Sequence, residues 1–146
     1  MPHILAENFY AAAQRYNRAA MNTATSQAPA IASHWPLQTL NTFGIAATAR
    51  AYLRVSSSAD LQAVRANPAL SALPRLVLGG GSNIVFTDNY EGLVLFNSIG
   101  GREIIKKNNE FVFVKIAGGE NWHQTVMWCV NQGFGGIENL SLIPGT

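Results

Sequence analysis

Three consecutive glycines constrain this chain more than any other feature of its sequence. Gly79, Gly80 and Gly81 follow a short apolar segment and precede Ser82 and Asn83, which add hydroxyl and amide donors. Glycine has no Cβ and adopts positive φ readily, so successive backbone N–H groups can converge on one point. Such a concave group of donors binds anions, phosphates above all. A tight turn needs only one or two glycines, so this run predicts a phosphate-binding loop.

The two common nucleotide-binding loops do not match this segment. A dinucleotide fingerprint has the pattern G-x-G-x-x-G and opens a helix, whereas the glycines here lead into the β-like segment Ile84-Val85-Phe86. A Walker loop needs Gly-Lys-Ser/Thr, and no lysine is near. The sequence therefore predicts a strand–glycine loop–strand phosphate cradle of another kind.

Hydrophobic periodicity predicts five strands and two helices from Leu37 onward. The strands are predicted over residues 49–55, 75–78, 92–96, 102–107 and 110–117, and the helices over 57–66 and 121–132. Asn108-Asn109 predicts a two-residue hairpin, because asparagine tolerates positive φ. Local hairpins with few helices favour an α+β fold over a doubly wound parallel sheet.

The first 36 residues have a different pattern. Leu5, Phe9, Ala12 and Tyr16 lie at helical spacing, and residues 22–36 have the composition of a linker. We therefore expect residues 1–36 to form an extension and linker, and residues 37–146 to form the folded domain.

Composition excludes several classes of protein. Of 146 residues, 48% are hydrophobic and 12% charged, which excludes general disorder. A single cysteine excludes an internal disulfide framework, and a net charge of +2 is too weak for a nucleic-acid footprint. No apolar run reaches the roughly 18 residues of a membrane span. The spacing of His3, His34, His123 and Cys129 matches no metal site.

The remaining candidate groups have ordinary structural interpretations. His123 with Ser141 or Ser82 could form a nucleophilic pair, but no G-x-S-x-G elbow supports one. Cys129 is expected to be a buried small hydrophobe. Three side chains of one helix are expected to pack into the protein core: Trp122, Met127 and Trp128. Glu120 and Glu138 are expected to be solvated loop residues rather than a carboxylate pair. Leu140, Leu142 and Ile143 favour burial, although they lie in a loop.

Two further glycine clusters follow the first. Gly118-Gly119 precedes a helix that begins near Asn121, and helix N-termini attract anions. The last cluster, residues 133–146, ends on Pro144-Gly145-Thr146.

Four sequence blocks closely resemble the UDP-N-acetylenolpyruvoylglucosamine reductase (MurB) family, in that family's order and spacing. They are Asn41-Thr42-Phe43-Gly44-Ile45, Leu78-Gly79-Gly80-Gly81-Ser82-Asn83, Gly118-Gly119-Glu120-Asn121-Trp122-His123 and the segment from Gly136 to Thr146. The resemblance implies the α+β, PCMH-type FAD-binding fold of vanillyl-alcohol-oxidase-like flavoproteins. It also implies cofactor-binding residues in two loops: Gly79, Gly80, Gly81, Ser82, Asn83 and Ile84, then Ile143, Gly145 and Thr146.

The activity implied by the resemblance is a cytoplasmic reduction in peptidoglycan precursor synthesis. In that family NADPH reduces FAD, which passes hydride to the enolpyruvyl group of a UDP-linked amino sugar to give UDP-N-acetylmuramate. The family's pattern continues beyond Pro-Gly-Thr into a substrate domain that carries the catalytic serine, glutamate and arginine. We therefore expect an N-terminal part of such an enzyme, with no catalytic residue of its own and inactive alone. The alternatives are a non-catalytic FAD or nucleotide-binding module and another flavoprotein of the same fold.

Overall fold

The computed structural model describes residues 3–4 and 30–146, and they form two small sheets and three α-helices. The strands are β1 (His3–Ile4), β2 (Ala32–Pro36), β3 (Thr48–Val55), β4 (Arg75–Leu78), β5 (Tyr90–Asn97), β6 (Arg102–Lys107) and β7 (Phe111–Ile116). The helices are α1 (Ser58–Ala66), α2 (Pro68–Ser71) and α3 (Trp122–Asn131), and Gln38–Leu40 and Glu138–Leu140 form single 3-10 turns.

The larger sheet has the strand order β2-β3-β5-β4. Both β3 and β4 run parallel to β5, whereas β2 runs antiparallel to β3. On one face, alternate residues of β3 and β5, such as Leu53 and Leu93, pack against Val64 of α1 and Leu70 of α2. Fully burying each such side chain contributes about 1.5–3 kcal/mol, so this apolar layer fixes the strand register.

The opposite face of this sheet is covered by loops rather than helices. Leu37 and Phe86 pack there with Leu78 and Val94. The β-like segment expected at residues 84–86 is not a strand. Because β4 and β5 are parallel neighbours, the chain between them must return along the sheet, and residues 79–89 make that return as a loop.

Part of the expected linker belongs to the sheet. Residues 32–36 form β2, and the Trp35 ring stacks on Tyr52 of β3 with centroids 4.7 Å apart. Composition failed to show this strand because its stabilisation comes from pairing and from a single aromatic contact, worth about 1 kcal/mol. The helix expected over residues 5–16 lies outside the described residues.

The smaller sheet has the order β1-β7-β6. The predicted hairpin joins β6 to β7, but neither asparagine of its turn has positive φ. Instead, the Asn108 carboxamide oxygen accepts hydrogen bonds from the N–H groups of Glu110 and Phe111, at 3.0 and 2.6 Å. This side-chain turn has three residues rather than two, so the prediction was right about the hairpin and wrong about its mechanism.

Helix α3 packs on the smaller sheet. Cys129 is fully buried against Val112, as expected, and Trp128 packs on the same cluster. Met127 was expected in this core but is 41% exposed, because it lies on the outer side of the helix. No helix among the described residues is both long and apolar enough to cross a bilayer.

Candidate cofactor site

A cavity of about 480 Å³ lies where β4 ends, beside the end of β5. None of the described residues that line it is charged: Leu76, Val77, Leu78, Gly79, Gly80, Gly81, Ser82, Asn83, Ile84, Asn97, Gly118, Gly145 and Thr146. The volume falls in the usual range of ligand pockets, roughly 300–1,000 Å³. A ligand in this cavity would be held by backbone groups, hydroxyls and amides.

The glycine loop supplies free donors to this cavity. Within the described part of the chain, the backbone N–H groups of Gly80, Gly81 and Ser82 donate no hydrogen bond. Consecutive donors that are free of protein partners and line one cavity are the arrangement of an anion-binding nest.

The space available for a side chain differs among the three glycines of this loop. Gly81 has φ of +68°, and a Cβ there would overlap the carbonyl oxygen of Leu40. A Cβ at Gly79 would overlap the hydroxyl of Thr146, whereas a Cβ at Gly80 would lie at an ordinary 3.7 Å from the Thr146 methyl. The three glycines therefore differ: Gly81 is required by a backbone contact, Gly79 meets only a side-chain hydroxyl that can rotate away, and Gly80 has room for a methyl group.

The first turn of α3 holds the C-terminal loop against the glycine loop. Trp122 donates from its backbone N–H to the Gly145 carbonyl at 3.3 Å and from its indole N–H to the Leu140 carbonyl at 2.8 Å. His123 Nδ1 lies 2.8 Å from Ser141 Oγ. These contacts bring Gly145 and Thr146 to the cavity.

The apolar residues of this loop are not buried. Leu140, Leu142 and Ile143 are 41%, 75% and 51% exposed, so the expectation of burial is wrong for all three. Hydrogen bonds to α3, rather than side-chain burial, hold the loop. Leu142 also has positive φ, at 63°.

Glu120 ties the second glycine cluster to β6. Its carboxylate accepts from the Gly101 N–H at 2.6 Å and from Arg102 Nε and Nη2, both at 2.7 Å. The Gly101 hydrogen bond, followed by those of Arg102, holds the pKa of Glu120 below its usual value. Glu120 is thus an ion-paired anchor, not the solvated loop residue that the sequence suggested.

The other groups considered from sequence serve structural purposes. The Asn121 side chain accepts from the Gln124 N–H at 3.0 Å, and the Trp122 N–H is used by Gly145, so intramolecular partners occupy donors at the start of α3. Among the described residues, no carboxylate bonds to His123, so its contact with Ser141 lacks the orienting group of a catalytic triad. Burial raises the pKa of the Cys129 thiol, which keeps it protonated and unreactive.

The structure brings together eight of the nine residues proposed from the resemblance. Residues 79–84 line the cavity together with Gly145 and Thr146, whereas Ile143 is not among its lining residues. Asn97 and Gly118 also line it and were not proposed. The pairing of β4 with β5 explains Asn97, since Leu78 lies opposite Phe96 and the carboxyl ends of parallel strands share one edge.

Comparisons with known proteins agree with this geometry. A family model described as FAD binding domain matches residues 49–146. The chain belongs to this FAD-binding domain family. Its α+β fold of small mixed sheets, predicted above, is confirmed.

The similar full-length proteins share one name. Over 111 residues the chain is 50% identical to a UDP-N-acetylenolpyruvoylglucosamine reductase of Burkholderia vietnamiensis and 49% identical to one of Amoebophilus asiaticus. These matches cover 76% of this chain but 32% and 33% of those proteins, so the chain spans about a third of the length of the curated relatives it matches.

A solved structure shows the same fold. The crystal structure of UDP-N-acetylenolpyruvylglucosamine reductase (MurB) from Thermus caldophilus aligns with a TM-score of 0.55 at 19% identity. The alignment covers 80% of this chain and 38% of the Thermus chain.

The residues present fit an FAD phosphate group. A cavity lined by uncharged residues, with three consecutive unpaired N–H groups, suits a pyrophosphate, and a Cβ at Gly80 would approach the methyl group of Thr146, another lining residue. When bound, FAD supplies the two-electron redox chemistry that no side chain in this cavity can perform.

Proposed function

We propose that this chain is the FAD-binding part of a UDP-N-acetylenolpyruvoylglucosamine reductase. The observation that carries the proposal is the row of unpaired N–H groups at Gly80, Gly81 and Ser82 on the wall of an uncharged cavity. Half of the residues are identical to enzymes of that name over 111 positions. Residues 37–146, together with the edge strand β2 (Ala32–Pro36), are the proposed FAD-binding domain.

Two loops divide the work of binding FAD. Residues 79–84 hold the pyrophosphate through backbone N–H groups and the polar side chains of Ser82 and Asn83. Gly145 and Thr146 line the cavity beside the glycine loop, and Ile143 contacts the cofactor beyond the cavity. These uncharged groups orient the cofactor and exclude water from its phosphates.

The proposed reaction uses NADPH as reductant and a UDP-linked enolpyruvyl amino sugar as hydride acceptor, in the cytoplasm. We assign no catalytic residue in this chain. The 146-residue chain alone is expected to show no reductase activity and to bind FAD more weakly than micromolar, because its cavity supplies only part of the contacts a complete flavoprotein makes.

Equilibrium dialysis against FAD, read by flavin absorbance, tests the proposal. Wild type should bind FAD saturably, and Gly80→Ala should bind at least about tenfold more weakly, since its methyl group would narrow the space between two lining residues, Gly80 and Thr146. The space around Gly80 predicts that this variant folds normally.

Gly133→Ala is the matched control for general destabilisation. Gly133 follows the last turn of α3 with φ of +73° and does not line the cavity. Among the described residues, none apart from its chain neighbours lies within 4 Å of the position that an alanine Cβ would take there. It should lower stability and leave FAD binding unchanged. Absence of saturable binding by wild type, or equal binding by Gly80→Ala, would contradict the proposal.

A further inference from the structure

The carbonyl group of Gly81 accepts two hydrogen bonds from one residue. Thr42 donates to it from its backbone N–H at 3.1 Å and from its hydroxyl at 3.2 Å. Thr42 does not line the cavity, whereas Gly81 and Ser82 do. The carbonyl of the Gly81–Ser82 peptide is therefore held toward Thr42, a residue outside the cavity lining.

This contact also fixes the direction of a donor. The peptide bond is trans, and in a trans peptide the C=O and N–H groups point in opposite directions. With the Gly81 carbonyl held by Thr42, the N–H of Ser82 points away from Thr42. That N–H is one of the unpaired donors of the cavity wall.

Thr42 is itself held rigidly by residues 37–45, which we name the anchor loop. The buried Asn41 side chain donates to the carbonyls of Leu37 and Ile45, at 2.9 and 3.1 Å, and accepts from the Ile45 N–H at 2.9 Å. The carbonyl carbon of Leu40 would lie only 2.8 Å from a Cβ on Gly81, so the two loops are in direct backbone contact. The anchor loop is thus a fixed support on which the glycine loop rests.

We propose that Thr42 is a positioning residue for phosphate binding. Its two hydrogen bonds lock the Gly81–Ser82 peptide so that the Ser82 N–H is presented to an anion before the anion arrives. A peptide free to rotate would point its donor at the phosphate only part of the time, and affinity falls by the fraction of competent molecules. The inference rests on the proposed FAD site but concerns a residue that does not line the cavity.

The test compares Thr42→Val with Thr42→Ser in the 146-residue chain. Valine has the shape of threonine without the hydroxyl, and serine keeps the hydroxyl. Thr42→Val should bind both FAD and ADP about tenfold more weakly, the loss expected when one hydrogen bond holding a binding group is removed. Thr42→Ser should restore binding to within about twofold of wild type. Thr87→Val, an exposed position on the same connection between β4 and β5, is the matched control and should bind like wild type.

Amide NMR separates positioning from a merely structural role. In ¹⁵N-labelled wild type, inorganic pyrophosphate should shift the Ser82 amide resonance, and in Thr42→Val that shift should shrink even at saturation. An unchanged Ser82 response and unchanged affinities in folded Thr42→Val would overturn the inference and leave the proposed function intact.

The two ligands distinguish the two ideas. Binding of ADP but not FAD by wild type would end the FAD proposal, and a tenfold loss of ADP affinity in Thr42→Val would still support the positioning role. If wild type binds neither ligand nor pyrophosphate, both proposals fail. If Thr42→Val does not fold, loss of the Ser82 response in Thr42→Ser would contradict the inference, because serine retains both donors.

Discussion

At the scale of single residues, the three consecutive glycines differ in what surrounds them. The sequence predicted that residues 79–81 carry no side chains because a phosphate approaches them. In the structure a side chain would fit at Gly80, and one at Gly79 would meet only the Thr146 hydroxyl, but Gly81 is required because the Leu40 carbonyl occupies the place of a Cβ. Sequence reasoning could not separate these roles, since each neighbour is distant along the chain.

Gly81→Ala should therefore destabilise the fold more than an ordinary glycine substitution. The alanine would combine left-handed backbone strain of about 1–2 kcal/mol with a clash against the backbone of Leu40. Gly44→Ala is the control, because Gly44 has a similar φ of +64°. Among the described residues, none apart from its chain neighbours lies within 4 Å of the position that an alanine Cβ would take there. Urea unfolding should show a loss of about 1 kcal/mol for Gly44→Ala and at least about 1 kcal/mol more for Gly81→Ala. Equal losses would mean that the close contact with Leu40 is not rigid.

At the scale of elements, local chemistry predicted helix boundaries well. Ser57 caps α1: its hydroxyl accepts from the Asp60 N–H, while the Asp60 carboxylate accepts from the Ser57 N–H. Asn121 caps α3, and Gly133 follows its C-terminus with positive φ. These signals lie within four residues of the groups they satisfy, so the sequence contains them.

Ser57→Ala should lower stability by about 1 kcal/mol, because the helix loses one side of its capping box. Ser58→Ala is the control, as Ser58 is an exposed first residue of α1 with no capping role. Chemical denaturation followed by circular dichroism measures both variants. A Ser58→Ala loss equal to that of Ser57→Ala would contradict the assigned cap.

The ion pair between Glu120 and Arg102 should make the free energy of unfolding depend on pH. The pKa of Glu120 is lowered in the folded protein by the Gly101 and Arg102 hydrogen bonds. The ionised Glu120 carboxylate therefore stabilises the folded state fully above its ordinary pKa of 4.5. This stabilisation is lost as the pH falls through the lower folded-state pKa. Glu120→Gln should cost about 1 kcal/mol at neutral pH and less in acid.

Urea unfolding at about pH 7 and about pH 3 measures this difference. Glu110→Gln, an exposed carboxylate in the hairpin turn, is the control and should differ little from wild type at either pH. A Glu120→Gln cost that stays constant or grows on acidification would contradict the ion-paired anchor.

At the scale of the whole molecule, the pairing of strands could not be predicted from the sequence. Segment patterns gave the α+β class and most strands, but not that β4 and β5 are parallel neighbours or that residues 32–36 add an edge strand. That pairing is what places Asn97 beside Gly79 and turns residues 79–89 into a returning loop. Pairing depends on contacts between residues far apart in the chain, which one sequence does not display.

Contacts between the four sequence blocks that resemble the reductase family explain why these blocks occur together. The first block reaches the second through Thr42 and Gly81, and the third holds the fourth through Trp122 and Gly145. Thr146 then packs against the glycine loop. Segments dispersed over more than 100 positions thus form one wall around one cavity.

The central claim is that the backbone N–H groups of the glycine loop bind the FAD phosphates. The most direct measurement is an FAD titration of the ¹⁵N-labelled 146-residue chain, followed by amide correlation spectra. The account predicts saturable shifts that are largest at Gly80, Gly81 and Ser82, with the amides of α1 unchanged. Saturable shifts confined to other surfaces, or none in the glycine loop at millimolar FAD, would contradict it.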